Sequence, residues 1–261
     1  ADEDYDNVDW KLGAEMDLGA DAMVYATIQT GYQPGTYNAF PATPEQSNLV
    51  ESATMTAYTT GIKSRFLEDR LQVNNELFYY DYEDLLVQSF NLNTALLTTF
   101  NAAQTTIWGN QIDVLFAPTG RDRLNLSVGY LNADYDDFMV LDGVNMGISN
   151  RDFGEWTVSA GYQHEFPAGS GRVLARVETR YEDSFWGTFA QFRGTGQPDY
   201  FKTDASVTYC APDDRWSAGL WAKNIENEAV LAAATTGQYG PYADVFIEPP
   251  RTFGARFTFR L

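Results

Sequence analysis

The stretch 71–80, LQVNNELFYY, puts Leu71, Val73, Leu77 and Tyr79 on one side of an extended chain and Gln72, Asn74 and Glu76 on the other. That is a period of two, with one apolar and one polar face. The pattern holds for about ten residues, whereas ordinary soluble strands average about five or six. A strand tilted across a bilayer needs roughly nine to eleven. Length and period together point to membrane-crossing strands. The tight charged turn FLEDR joins this strand to the one before it, so residues 58–82 form a hairpin.

The same unit recurs along the chain. Leu12, Ala14 and Met16 alternate with Lys11, Gly13 and Glu15, and a second strand runs from about Met23 to Tyr32. Further alternating runs occupy 105–117, 123–135 and 156–166. Others start at Val173, Phe201 and Trp216, and the last is RTFGARFTFRL. This makes about eleven strands. Their connections alternate between short turns, such as GADA, PTGRDR and APDDR, and long polar segments rich in Gly, Pro and Asn. Short turns at one end and long loops at the other describe an outer-membrane barrel, with lipid-facing and lumen-facing residues alternating. The fold class expected is all-β, an antiparallel transmembrane β-barrel. A sheet in lipid must close, because open edges leave backbone groups unpaired. Eleven is odd, and the chain would start on the long-loop side and end on the short-turn side, so it reads as the second part of a larger barrel.

Composition narrows the function. The formal charge is −19, which argues against a nucleic-acid partner, since that would require a basic stripe. With one cysteine, Cys210, and one histidine, His164, neither an intrachain disulfide nor a multi-histidine metal site is expected. No nucleophile elbow, zinc-protease motif or phosphate loop is present, so the chain is not expected to be an enzyme, and no catalytic residue, metal or cofactor is assigned. The acidic segment 134–142 lacks EF-hand spacing. Aromatic residues make up 15% of the chain. Tyr25, Tyr79, Tyr130, Tyr181, Tyr209 and Trp216 are assigned to an aromatic girdle on the apolar face, with His164 near an interface.

At this point the residues resemble a family. VYATIQTGYQPGTYN, TAYTTGIKSRFLEDRLQVNNELFYYDYEDLLVQ and NAAQTTIWGNQIDVLFAP are similar to the strand-and-loop signature of TonB-dependent outer-membrane receptors. DDRWSAGLWAKNIENE and PPRTFGARFTFRL look like that family's last two strands, and the likeness covers nearly all of residues 1–261. The resemblance implies the C-terminal half of a twenty-two-stranded, plugged barrel. It implies TonB-energised uptake of a ferric siderophore, another iron complex, cobalamin or an oligosaccharide. The plug domain and the TonB box are not in this sequence. The implied partners are outer-membrane lipid and lipopolysaccharide, the N-terminal barrel half with its plug, and the TonB complex through that part.

Two groups of site residues follow. Polar-phase charges Arg176, Glu178, Arg180, Lys202, Asp204, Lys223, Arg256 and Arg260 would line the lumen and face the plug. Aromatic and polar loop residues Tyr32, Tyr37, Asn38 and Phe40 would meet ligand outside, as would Trp186, Phe189, Phe192 and Arg193, and Tyr239 and Tyr242. A passive porin and a soluble all-β binding protein remain the rival readings.

Overall fold

The computed structural model describes residues 6–37, 49–91, 96–101, 104–135, 139–140, 144–145, 153–187, 194–236 and 243–260. Eleven strands form one antiparallel sheet. They are β1 (Lys11–Asp17), β2 (Ala22–Gln33), β3 (Ala53–Phe66), β4 (Leu71–Glu83), β5 (Thr105–Phe116) and β6 (Asp122–Tyr135). β7 (Trp156–Ala168), β8 (Gly171–Glu182), β9 (Tyr200–Cys210), β10 (Trp216–Lys223) and β11 (Thr252–Phe259) follow. Each pairs only with its neighbours in sequence, so the sheet is an up-and-down meander with β1 and β11 as open edges. No helix occurs among the described residues. All the short turns lie at one end and all the long connections at the other.

The pairing register extends one apolar face across the whole sheet. Leu12 sits opposite Ile28, Ile28 opposite Tyr58, Tyr58 opposite Tyr79 and Tyr79 opposite Trp108. On the far side Val207 meets Leu220, and Leu220 meets Ala255. Burial is inverted relative to a soluble protein: Leu220 and Phe257 are each 68% exposed and Phe253 is 81% exposed. A water-soluble sheet would cover such a face with a second layer. Here the face belongs against lipid.

Aromatic rings bracket this face at both ends. At the long-loop end, ring centroids are 5.2 Å apart for Trp108–Tyr130, 4.8 Å for Tyr130–Trp156 and 4.9 Å for Tyr181–Phe201. At the short-turn end, Tyr209 lies 5.3 Å from Trp216, and Trp216 lies 6.1 Å from Phe257. Trp156 and Phe166 bound β7 ten residues apart, roughly 33 Å along the strand at about 3.3 Å per residue. At a tilt of about 40° this spans roughly 25 Å, the height of the apolar band of an outer-membrane barrel. His164 lies at the short-turn end of this face. Its Nδ1 is 2.5 Å from Asp122 Oδ1, to which Tyr162 also donates at 2.7 Å.

Polar side chains on the apolar face return their hydrogens to the sheet. Asn75 Nδ2 donates to the Gln111 carbonyl at 3.1 Å, and Asn110 Nδ2 donates to the Glu76 carbonyl at 2.9 Å. Thr60 and Ser64 do the same with Tyr25 and Val73. In hydrocarbon an unpaired donor is costly, and these four side chains carry their own remedy.

Two features depart from the sequence reading, and a third lies outside what it addressed. Tyr25 is not in the girdle. It pairs with Glu15 and Gly61, on the polar face, and its hydroxyl donates to Glu76 Oε2 at 2.5 Å. The run Met23-Val24-Tyr25-Ala26 is apolar in both phases, so alternation could not assign it. Gly61 makes this contact possible, since a Cβ there would lie 2.6 Å from the Tyr25 hydroxyl. Second, the long connections contain hairpins of their own: Leu86–Asn91 pairs with Leu96–Asn101, and Leu231–Thr236 pairs with Ala243–Ile247. Third, Leu67, Glu68 and Asp69 of the first charged turn all adopt positive φ, from 56° to 63°, at a cost of roughly 1–2 kcal/mol per residue.

The sheet's two faces make a direct prediction. In the polypeptide carrying this segment, Leu220→Arg places a cation mid-strand against lipid and lowers folding stability by about 2–4 kcal/mol. Thr258→Arg, on the polar face, changes it by less than about 1 kcal/mol. Denaturant unfolding in bilayers, followed by heat-modifiable electrophoretic mobility, reads both.

Candidate functional site

The polar face of β8–β11 carries the charges singled out from sequence. Arg176, Glu178 and Arg180 lie on β8, Lys202 and Asp204 on β9, Lys223 on β10 and Arg256 on β11. Arg260 follows β11, its backbone N–H bonded to the Arg215 carbonyl at 2.7 Å. Alternate positions of extended chains share a face, so the period of two alone delivers these side chains to one wall.

The register then creates a conflict. Glu178 stands directly opposite Asp204, and Arg180 directly opposite Lys202. Like charges across a ladder destabilise it. Each is relieved along its own strand or from a loop. Arg176 pairs with Glu178. Arg180 donates to Glu182 Oε2 at 2.6 Å, and the Tyr200 hydroxyl donates to the same oxygen at 2.6 Å. Asp204 accepts the Asn224 N–H at 3.0 Å. Lys202 reaches Glu248, 46 residues away in the last long connection. Glu182 and Tyr200 are buried. Electrostatic relief of the wall therefore ties an outer loop to it.

That loop is clasped by groups the sequence reading did not select. Asn224 is fully buried and in the left-handed region at φ 52°. Its amide donates to the Glu228 carbonyl at 2.8 Å, and its oxygen accepts the Glu228 N–H at 2.8 Å. Asn227, at φ 61°, accepts the Arg251 N–H at 3.0 Å. Arg251 donates to the Ile225 carbonyl at 3.1 Å. Gln197, also buried, accepts the Leu231 N–H at 2.8 Å and so joins the preceding long connection to this one. Asn tolerates the left-handed conformation and bonds locally, so two Asn spaced three apart was the available signal.

Of the aromatic loop candidates, Tyr32 is half-buried and falls on the apolar phase of β2, opposite Thr54. Tyr37 is 43% exposed in a two-residue strand paired with Leu49–Val50. Trp186 is half-buried and packs on Gly196 across its hairpin. These three stand in three different strand pairings. Asn38, Phe40, Phe189, Phe192, Arg193, Tyr239 and Tyr242 lie outside the described residues, as does part of the acidic segment 134–142.

The wall is charged against the grain of the chain. The chain carries 36 Asp and Glu against 17 Lys and Arg. The polar phase of β8–β11 instead presents Arg172, Arg176, Arg180, Lys202, Lys223 and Arg256 against only Glu178, Glu182 and Asp204. Beneath these charges a groove of about 520 Å³ runs across β8–β11.

The clasp generates two expectations. Asn224→Ala strands buried backbone groups and costs about 1–3 kcal/mol, read as lost hydrogen-exchange protection at the Glu228 N–H. Glu226, in the same turn, accepts the Thr203 N–H at 2.8 Å. Partial desolvation pushes its carboxyl upward, but the hydrogen bonds from Thr203 and from its own backbone outweigh this and hold it below the ordinary carboxylate value. A carboxyl depressed on folding stabilises above its unfolded pKa and loses that contribution as pH falls through the folded one. Thr203 N–H protection should therefore persist through the ordinary carboxylate range and fall only below it, and Glu226→Gln should abolish the dependence.

Comparison with known proteins accords with this geometry. Residues 1–225 match the family model described as TonB dependent receptor-like, beta-barrel. Among solved structures, the ferric yersiniabactin uptake receptor FyuA from Yersinia pestis superposes with a TM-score of 0.77 at 14% identity, over 95% of this chain and 36% of that one. The ferric-catecholate import receptor Fiu from E. coli K12 gives 0.72 at 18% identity, over 95% and 34%. The copper transporter OprC gives 0.71 at 15% identity, over 95% and 39%. The chain thus spans about a third of the length of the structures it matches. The family is one of outer-membrane receptors and transporters, not enzymes. This chain belongs to the TonB-dependent receptor-like β-barrel family.

Proposed function

We propose that residues 1–261 supply the C-terminal part of the barrel wall of an outer-membrane receptor that takes up a scarce ligand, a ferric siderophore in the first instance. Other iron complexes, cobalamin or an oligosaccharide are the further candidates. Uptake in this reading is energised by TonB. The plug that fills the lumen and the segment that meets TonB are supplied by polypeptide outside this segment. Arg176, Glu178, Arg180, Lys202, Asp204, Lys223, Arg256 and Arg260 face the lumen and its plug, and the long connections meet ligand on the outer side.

One observation supports this most. Charged polar-phase residues of the wall are coupled through Lys202–Glu248 and the Asn224 clasp to a long outer connection. The two solved relatives named for ferric uptake and import direct the choice of ligand toward iron chelates.

The test uses cells in which the polypeptide carrying this segment is the sole outer-membrane receptor. Radioiron presented as a panel of ferric siderophores should accumulate for at least one of them, and accumulation should stop when TonB is deleted or the proton gradient is collapsed. A steady open conductance of the purified protein in planar bilayers, with TonB-independent uptake, would instead make it a pore.

A further inference from the structure

Asp122 is an acid on the lipid-facing phase, at the short-turn end of β6, in line with Leu124, Leu126 and Val128. A carboxylate in such a place is costly unless it is paired and hydrogen-bonded. Three groups meet this one. Thr119, in the turn before it, donates to Oδ2. The Tyr162 hydroxyl donates to Oδ1 at 2.7 Å, and His164 Nδ1 lies 2.5 Å from the same oxygen. Register supplies the histidine, because Asp122 and His164 face each other across β6–β7. The imidazole stands edge-on to Phe166, with ring centroids 4.3 Å apart. With Nδ1 taken up by the carboxylate, Nε2 is left without a partner among the described residues.

Two apolar clefts adjoin this ring on the same face. One, of about 310 Å³, lies between Tyr162, His164 and Phe166 on β7 and Val207 on β9, with Ala175 and Ala205 between them. The other, of about 480 Å³, lies on the β5–β6 side, against Leu124, Leu126 and Ala160. Tyr162 and Val177 border both clefts and face each other across β7–β8, so they form the ridge that divides them. Alanine at 160, 175 and 205 keeps both clefts open. Two apolar channels that meet beside one polar group fit a lipid with two chains and one anionic head. Short turns of an outer-membrane barrel are periplasmic, so the leaflet that meets His164 is the periplasmic one.

We propose that Asp122, His164 and the paired clefts form a binding site for a diacyl glycerophospholipid of the periplasmic leaflet. Its phosphate accepts the Nε2–H of His164, so that an imidazolium bridges two anions, the phosphate and Asp122. Its two acyl chains lie in the clefts on either side of Tyr162. Asp122 is a positioning residue: it orients the ring and balances its charge. The proposal needs only the membrane-crossing sheet and does not depend on the uptake reading.

Native mass spectrometry of the full polypeptide, purified and delipidated in detergent, tests it by titration with three probes. They are dioleoyl phosphatidylglycerol, its one-chain lyso form, and dioleoylglycerol, which lacks the phosphate. Wild type should bind the first about tenfold more tightly than either of the others. His164→Phe keeps the ring but removes the Nε2–H, and should lower the affinity for dioleoyl phosphatidylglycerol to that for dioleoylglycerol. The double variant Asp122→Asn/His164→Phe leaves no carboxylate unpaired and should show the same loss. Ala160→Leu/Ala205→Leu fills both clefts and should remove the preference for two chains over one. Heat-modifiable mobility confirms that each variant is folded. Equal binding of the three probes by wild type, or unchanged affinity in both His164 variants, would overturn the proposal. So would a two-chain preference that survives Ala160→Leu/Ala205→Leu, since the clefts would then hold no chain. Failure of the uptake reading is separate: it appears as absent TonB-dependent accumulation, which leaves this comparison untouched.

Discussion

Every other property of this structure depends on the requirement that backbone N–H and C=O groups be paired where there is no water to receive them. In hydrocarbon each unpaired group costs several kcal/mol. The eleven strands meet this with an unbroken antiparallel ladder from β1 to β11. Once the ladder is set, side chains have only two directions to point. The apolar phase becomes one continuous outer surface and the polar phase one continuous inner wall. The same requirement explains four polar residues on the outer surface. Asn75, Asn110, Thr60 and Ser64 are tolerated there because each donates straight back to a carbonyl of the adjacent strand. The outer edges of β1 and β11 still carry unpaired groups, and further strands of the same barrel are their natural partners.

The inner wall is governed by a second rule, that like charges facing each other must find other partners. Glu178 against Asp204 and Arg180 against Lys202 are unfavourable pairs imposed by register. Their relief recruits Arg176, Glu182, Tyr200, the turn at Asn224 and Glu248. A network of this kind fixes geometry more than it adds stability, because its charges compensate a cost that the register itself created. Its effect is to couple the outer connection 224–251 to the wall, and through Gln197 to the connection before it.

Much of this was legible in the residues. The strand number, the order of short and long connections and the face of nearly every strand residue follow from a period of two read at lengths of seven to fourteen residues. That the charges of β8–β11 share the polar face was legible for the same reason. Tyr25 was misplaced because its neighbours are apolar in both phases. The hairpins within the long connections were missed because short runs rich in Gly, Asn and Thr carry little alternation. Gln197 and Glu248 gave no signal of joint action, because they act on partners 34 and 46 residues away.

The sequence by itself determined that this chain is a sheet with one face for lipid and one for a polar interior, since alternation is a local property carried by each strand alone. It also determined which face nearly every strand residue would take, Tyr25 excepted. Only the tertiary structure decided which of them would meet. Register between strands selects the partners of Lys202 and Asp204, sets Asp122 against His164 and places Val177 opposite Tyr162. Register is a relation between segments far apart in the chain, fixed by the cooperative pairing of the whole ladder, and no single strand contains it.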